Sequence, residues 1–122
     1  MAITVIDSSQ ISGALLHINT DVDETEDDIK GSAGTLYAIE IDNTLNAAVS
    51  YVKLWDAASG SVTVGTTAPD WIFRVAASVS RTVMFPQGVA FAAALSIAAV
   101  TAAGTAGVTG PTSALTCRVV YA

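Results

Sequence analysis

Two β-prone runs, Leu36-Tyr-Ala-Ile-Glu-Ile-Asp42 and Val49-Ser-Tyr-Val-Lys-Leu-Trp55, carry the clearest structural pattern of this chain. In the first run, apolar residues alternate with small or acidic ones, which places one set of side chains on each face of a strand. The connector between the runs is rich in Asp, Asn and Thr, which tolerate turn geometry and hydrogen-bond to their own backbone. The pattern predicts a β-hairpin.

Length and composition predict one domain spanning residues 1–122, which buries roughly two thirds of its unfolded surface on folding. The single Cys117 excludes an intrachain disulfide, and together with the single His17 it cannot supply the Cys/His set of a structural zinc site. Many of the apolar residues are alanines, so the large ones suffice only for a thin core, as between two sheets. We expect no cofactor.

The net charge of −6 arises in one segment, residues 21–28. The remaining five acids balance the five Lys and Arg residues, so no basic patch supports a nucleic-acid partner. We expect an N-terminal arm over residues 1–30 that ends in a solvated acidic loop. The six acids of this loop are Asp21, Asp23, Glu24, Glu26, Asp27 and Asp28.

The acidic loop begins like a calcium-binding loop, because hard cations require several oxygen ligands. The EF-hand pattern then fails, since Glu26 stands where glycine is needed and Ser32 where a bidentate Glu is needed. We predict no metal site, and Asp21, Asp23 and Asp27 are the candidates for an irregular one.

Further strands are predicted at residues 2–6, 11–18, 71–75, 80–85, 95–101 and 115–121. Pro86 should end the strand at residues 80–85, with Gln87 and Gly88 in a turn. The total of roughly seven to nine short strands predicts an all-β fold, a jelly roll or a related antiparallel β-sandwich. The predicted core faces are Trp71, Phe73 and Val75 in one strand and Leu115, Cys117, Val119 and Tyr121 in the last.

No residue between Arg81 and Arg118 carries a charge, and much of this span is alanine. Alanine favours a helix, and the uncharged length would allow one to cross a membrane. However, the segment 95–101 is short, lies between turn-like flanks and includes the β-branched Ile97 and Val100. We therefore predict a strand and no membrane span. The chain also begins without the basic region of a secretory signal.

An uncharged sheet surface invites association unless another surface covers it. We therefore predict a homo-oligomer whose interface includes part of residues 89–101, with Ala94 and Ala98 as interface candidates.

Tyr51, Lys53 and Trp55 share one face of their strand, opposite Val52 and Leu54. If Val52 and Leu54 face the core, the other face carries an aromatic strip suited to a protein interface or to sugar stacking. The alternative is that another segment of the same chain covers this strip.

His17 and Cys117 are the only candidates for a base and nucleophile pair. Cys117 shares a strand face with Leu115 and Val119, where a thiol packs as a small hydrophobic group. The sequence contains no nucleophile elbow, phosphate-binding glycine loop or metal-binding His pair. We predict a protein that is not an enzyme, with no catalytic residues.

Four motifs occur in order along the chain: Gly34-Thr-Leu-Tyr-Ala-Ile-Glu-Ile-Asp-Asn43, Tyr51-Val-Lys-Leu-Trp-Asp56, Val64-Gly-Thr-Thr-Ala-Pro69 and Phe85-Pro-Gln-Gly-Val-Ala-Phe91. Together they resemble the small all-β structural proteins of tailed bacteriophages, from about residue 29 to the end. The Ala-rich residues 90–103 depart from that family.

The resemblance implies a non-enzymatic virion protein on the capsid surface, such as a decoration (cement) protein that binds the major capsid protein lattice as a homotrimer. The alternative is a carbohydrate- or receptor-binding module of a phage head or tail, with Tyr51, Trp55 or Trp71 as stacking platforms.

Overall fold

A computed structural model describes residues 13–122 of the chain. Between Gly13 and Ala122 the chain forms eight strands and one short 3-10 helix, Ser59–Ser61. The strands are β1 (Leu15–Val22), β2 (Asp27–Lys30), β3 (Gly34–Asp42), β4 (Ser50–Trp55), β5 (Trp71–Val75), β6 (Ser80–Phe91), β7 (Leu95–Val100) and β8 (Leu115–Tyr121).

The strands form two four-stranded sheets, sheet A with the order β1-β8-β3-β6 and sheet B with the order β2-β7-β4-β5. All pairings are antiparallel. The pairs β1–β8, β2–β7, β3–β6 and β4–β5 nest inside one another, as in one long hairpin rolled up until β8 meets β3 and β7 meets β4. This is a jelly roll, and the predicted fold class is confirmed.

The predicted hairpin of β3 and β4 is wrong, because the two strands lie in different sheets. β3 pairs with β6 and β8, whereas β4 pairs with β5 and β7. Alternation and a turn-prone connector are equally compatible with a connection that crosses from one sheet to the other. Residues 43–49 make this crossover.

The core lies between the two sheets and confirms the predicted strand faces. Phe73 and Val75 are buried in β5, and Leu115, Cys117 and Val119 are fully buried in β8. Trp71 and Tyr121 are partly buried and pack against the same core.

The N-terminal prediction requires correction, because residues 15–30 belong to the sandwich rather than to an arm. Asp21 and Val22 end β1, Asp27 and Asp28 begin β2, and only residues 23–26 form the connecting turn. Val22 is fully buried, which holds the end of β1 in the core. The strand predicted at residues 2–6 and the first part of that predicted at 11–18 lie outside the described residues.

β6 does not end at Pro86 but continues to Phe91. Its register with β3 moves from Met84 opposite Ala38 to Val89 opposite Leu36, so four β6 residues face the single Tyr37. Within the described chain β6 lies at the edge of sheet A, where the missing N–H of a proline is tolerated. The proline therefore produces a wide bulge rather than a strand end, with Gly88 at a φ of 75°.

The strand predicted in the Ala-rich span is confirmed as β7, and all six of its residues are buried. One face, including Leu95 and Ile97, contacts the core between the sheets, while Ala98 lies on the opposite face beneath other segments. In residues 13–122, no helix reaches the length and hydropathy that a membrane crossing requires.

Candidate interaction surface

The outer faces of β4 and β7, the two central strands of sheet B, are covered by the chain itself, whereas Ile72 and Arg74 on the outer face of β5 are exposed. Two long connections, residues 56–70 and 101–114, lie over β4 and β7. The Trp55 indole N–H donates to the Thr67 carbonyl at 3.0 Å, and the ring packs with Val62 and Ala98. The Lys53 ammonium donates to the Gly104 carbonyl at 2.6 Å, and removal from water lowers its pKa.

The strip of Tyr51, Lys53 and Trp55 therefore corresponds to the second alternative, a face covered by the same chain. Lys53 and Trp55 are each 1% exposed, and Tyr51 is partly buried. A sugar or a partner protein cannot reach Trp55 unless residues 56–70 move away.

Ala94 and Ala98 are also inside the folded chain, being 2% and 0% exposed. Much of the uncharged segment for which a second copy is predicted as cover is buried within the monomer, because β7 is buried on both faces. Within residues 89–101, the exposed positions are Ala90, Ala92, Ala93 and Thr101.

The three acids considered for a cation lie at and beside the turn between β1 and β2. Asp27 accepts a hydrogen bond from the Asn19 amide, and Asp23 accepts one from the Thr25 backbone N–H, each at 2.9 Å. Within the described part of the chain, no three His, Cys, Asp or Glu side chains are arranged to hold a metal ion.

His17 and Cys117 lie on neighbouring strands, on the same inward face. His17 is opposite Val119, and Asn19 is opposite Cys117. Burial raises the pKa of the Cys117 thiol to about 12, with a smaller contribution from the negative charge of Asp42. The thiol is thus protonated at neutral pH, and this pair lacks the thiolate that nucleophilic chemistry needs.

The outer face of sheet A differs, because no connection of the described chain seals it. The strand register aligns Leu16, Val120, Ala38 and Met84 side by side across all four strands. We call these four residues the apolar row. Leu16 is 59% exposed and Met84 is 69% exposed, so the row ends in two large apolar side chains in contact with water.

The neighbouring residues on this face add apolar surface without adding net charge. Ile18, one step along β1, is 54% exposed. On the adjacent strands, Arg118 donates to Glu40 at 2.8 Å, and both side chains are nearly half exposed. The basic and the acidic group neutralise each other, so this part of the face is uncharged overall.

The wide bulge of β6 extends the apolar row into an open cavity of about 400 Å³. Its lining runs from Met84 to Val89 along β6. Gly88 packs so closely against Thr35 and Tyr37 that a side chain at this position would collide with both. The close packing of the bulge against β3 therefore depends on glycine at this position.

The sequence interpretation missed the apolar row because its four residues come from four distant parts of the chain. No local pattern connects Leu16 with Met84, and only the pairing of β1, β8, β3 and β6 brings them together.

Comparison with family models, curated proteins and solved structures found no match to this chain.

Proposed function

We propose that this chain is a non-enzymatic structural protein of a bacteriophage virion, which attaches to the capsid shell through the outer face of sheet A. One observation carries the proposal: the chain covers the outer faces of β4 and β7 in sheet B with its own connections, whereas the described residues leave an apolar row across sheet A whose two ends, Leu16 and Met84, are exposed. Contiguous exposed apolar surface marks a site of protein association.

Two further considerations support the proposal. The four sequence motifs resemble small all-β phage structural proteins. Jelly rolls also occur repeatedly in viral capsid proteins, although they occur in lectins too, so this support is an analogy of fold.

The position of the acids is compatible with docking through sheet A. Asp21 follows Leu16 by five residues in the same strand, a separation of about 17 Å at ~3.3 Å per residue. This exceeds the Debye length of about 8 Å at physiological ionic strength. The acidic turn can therefore remain hydrated while the apolar row is covered.

The mechanism would be linkage between binding and shell stability. A protein that binds assembled capsid subunits, and not free ones, stabilises the shell by about 2.7 kcal/mol per site at a concentration of 100 times its Kd. The homotrimer implied by the resemblance remains a prediction, and it would multiply this effect through several simultaneous contacts.

The test is co-sedimentation of the labelled chain with purified capsids of the phage that encodes it. We expect saturable binding, weakened about tenfold or more by Met84→Lys, because the change places a charge in an apolar contact. Leu45→Lys is the matched control, since Leu45 is 77% exposed but lies in the crossover between β3 and β4.

Equal binding of the Met84→Lys variant and the parent would contradict docking through the apolar row. Failure of the parent to co-sediment, together with glycan-array binding that Trp71→Ala abolishes, would instead favour the carbohydrate-binding alternative.

A further inference from the structure

The two sheets have four edge strands within the described residues: β1 and β6 in sheet A, and β2 and β5 in sheet B. Edge strands present unpaired backbone groups that can pair with another chain, and proteins usually protect them. β6 carries Pro86 and the wide bulge. β2 has only four residues, three of them charged, and β5 has five residues including Arg74.

β1 lacks this protection. From Leu15 to Asn19 it pairs with β8 in continuous one-to-one register, and these five residues include no proline and no Asp, Glu, Lys or Arg. Leu15, Leu16 and Ile18 are 55%, 59% and 54% exposed. A regular, uncharged and apolar edge is a site where strands add.

We propose that β1 pairs antiparallel with β1 of a second copy, about a two-fold axis at His17, and joins two copies of sheet A into one eight-stranded sheet. In this register Leu16 of each copy lies opposite Ile18 of the other. Shifting the strands by two residues in one direction would place Ile18 opposite Ala14. Shifting them by two in the other direction would place Leu16 opposite Thr20. The apolar pattern therefore selects this register.

The distribution of charge is compatible with a second copy at this edge. In an antiparallel pair the two acidic turns point away from each other. Asp21 lies four residues from His17, so the two Asp21 residues are about 26 Å apart at ~3.3 Å per residue, several times the Debye length of about 8 Å. The acids do not oppose the contact.

The contact is isologous and closes at two copies. A five-residue strand pair is smaller than a standard interface of about 800 Å² per partner, so we expect dissociation in the micromolar range. The inference rests on the edge of sheet A and not on the proposed attachment to a capsid.

Sedimentation velocity of the full chain, from about 1 to about 200 µM, tests the inference. We expect a monomer–dimer equilibrium that Leu16→Lys and Ile18→Glu each weaken about tenfold, because each buries a charge against an apolar side chain. Mixing the two variants should restore association, since the introduced ammonium then lies opposite the introduced carboxylate. Both variants should melt like the parent, because both positions are exposed.

Met84→Lys is the control that separates this contact from capsid binding. Met84 lies on the same outer face but in β6, at the edge of sheet A opposite β1. The dimer should therefore persist in this variant even where capsid binding is lost. The inference would be overturned by a parent that stays monomeric over the whole concentration range, as it would if another segment of the same chain occupied the edge. It would also be overturned by an oligomer that neither β1 substitution weakens, or by variants that do not associate when they are mixed.

Discussion

At the scale of single residues, Asn43 holds together the end of the molecule where the chain crosses between the sheets. Its amide N–H group donates to the carbonyls of Ala48 and Ala76 at 3.1 and 3.0 Å. Its carbonyl accepts from the Asn46 amide and the Ser50 hydroxyl, both at 2.9 Å. A buried network of this kind is strong when complete and costly when one member is removed.

Replacing Asn43 with Ala should lower the free energy of unfolding by about 2–4 kcal/mol, because buried donors and acceptors lose their partners. Urea denaturation measures the effect. Leu45→Ala, two residues away and exposed, should change it by less than about 0.5 kcal/mol. Equal denaturation midpoints for Asn43→Ala and the parent would show that water replaces the amide.

Cys117 should not react with thiol reagents at pH 8 in the native protein, because burial raises its pKa to about 12. Unfolding should expose an ordinary thiol that reacts readily. The same shift lowers stability at high pH: the unfolded state loses the thiol proton above its ordinary pKa of 9.0, while the folded state keeps it to about 12. Rapid labelling without unfolding would contradict this account.

At the scale of secondary-structure elements, Asp56 joins the end of β4 to the turn between β6 and β7. Its carboxylate accepts the backbone N–H groups of Ala92 at 2.8 Å and Ala93 at 2.7 Å. These hydrogen bonds favour the ionised form and hold the pKa of Asp56 below its ordinary value of 3.8. The turn after the long β6 strand is thereby fixed against sheet B.

Asp56→Asn should destabilise the protein by about 1 kcal/mol at pH 7, since the amide nitrogen that replaces one carboxylate oxygen cannot accept the hydrogen bond made by that oxygen, and the other loses its charge. A lowered pKa gives stability that is present above the ordinary pKa and is lost as pH falls through the lowered one. The difference between parent and variant should therefore shrink below about pH 4. Thermal melts at pH 7, 4 and 2.5 measure this, and a constant difference would assign the effect to packing.

The acidic residues in and beside the turn between β1 and β2 should differ in how much they contribute to the stability of the fold. Asp28 accepts from the Ser59 backbone N–H at 2.7 Å and from its hydroxyl at 3.0 Å, so Asp28→Ala should cost about 1 kcal/mol. Changing Asp21 to Asn together with Glu24 and Glu26 to Gln should leave the melting temperature unchanged or slightly higher, because self-repulsion falls. Destabilisation of the parent by a chelator would instead reveal a structural cation.

At the scale of the whole molecule, the two sheets divide their roles. The central strands of sheet B, β4 and β7, are covered on both faces, and the buried Lys53 fastens residues 101–114 to the sandwich through Gly104. Within residues 13–122, sheet A is covered on one face only and presents the apolar row and the β1 edge. In the proposed function, this asymmetry makes the outer face of sheet A the surface for partners.

Ala98→Lys tests this division, because Ala98 is fully buried between Trp55 and Val62. We expect a loss of about 3 kcal/mol or more in the stability of the monomer, since the ammonium would be buried without a partner. Ala93→Lys is the matched exposed control. If Ala98→Lys dissociates an oligomer while the monomer melts like the parent, the outer face of β7 is an interface after all.

The sequence by itself determined most of the strands and the core-facing sides of β5 and β8, but neither β2 nor the part of β6 after Pro86. In β5 and β8, Phe73, Val75, Cys117 and Val119 follow a period of two, and that period depends only on neighbours along the chain. In β7, the β-branched Ile97 and Val100 prevailed over the helical preference of the surrounding alanines.

Only the tertiary structure decided how the strands pair and what covers each face. An alternating strand marks a buried side but does not identify the segment that buries it, so the pattern of β3 and β4 was equally compatible with a hairpin and with a crossover held by Asn43. The burial of Trp55 depends on residues 56–70, and the apolar row depends on the meeting of Leu16 with Val120. These contacts join residues far apart in the chain, and local alternation contains no information about such distances.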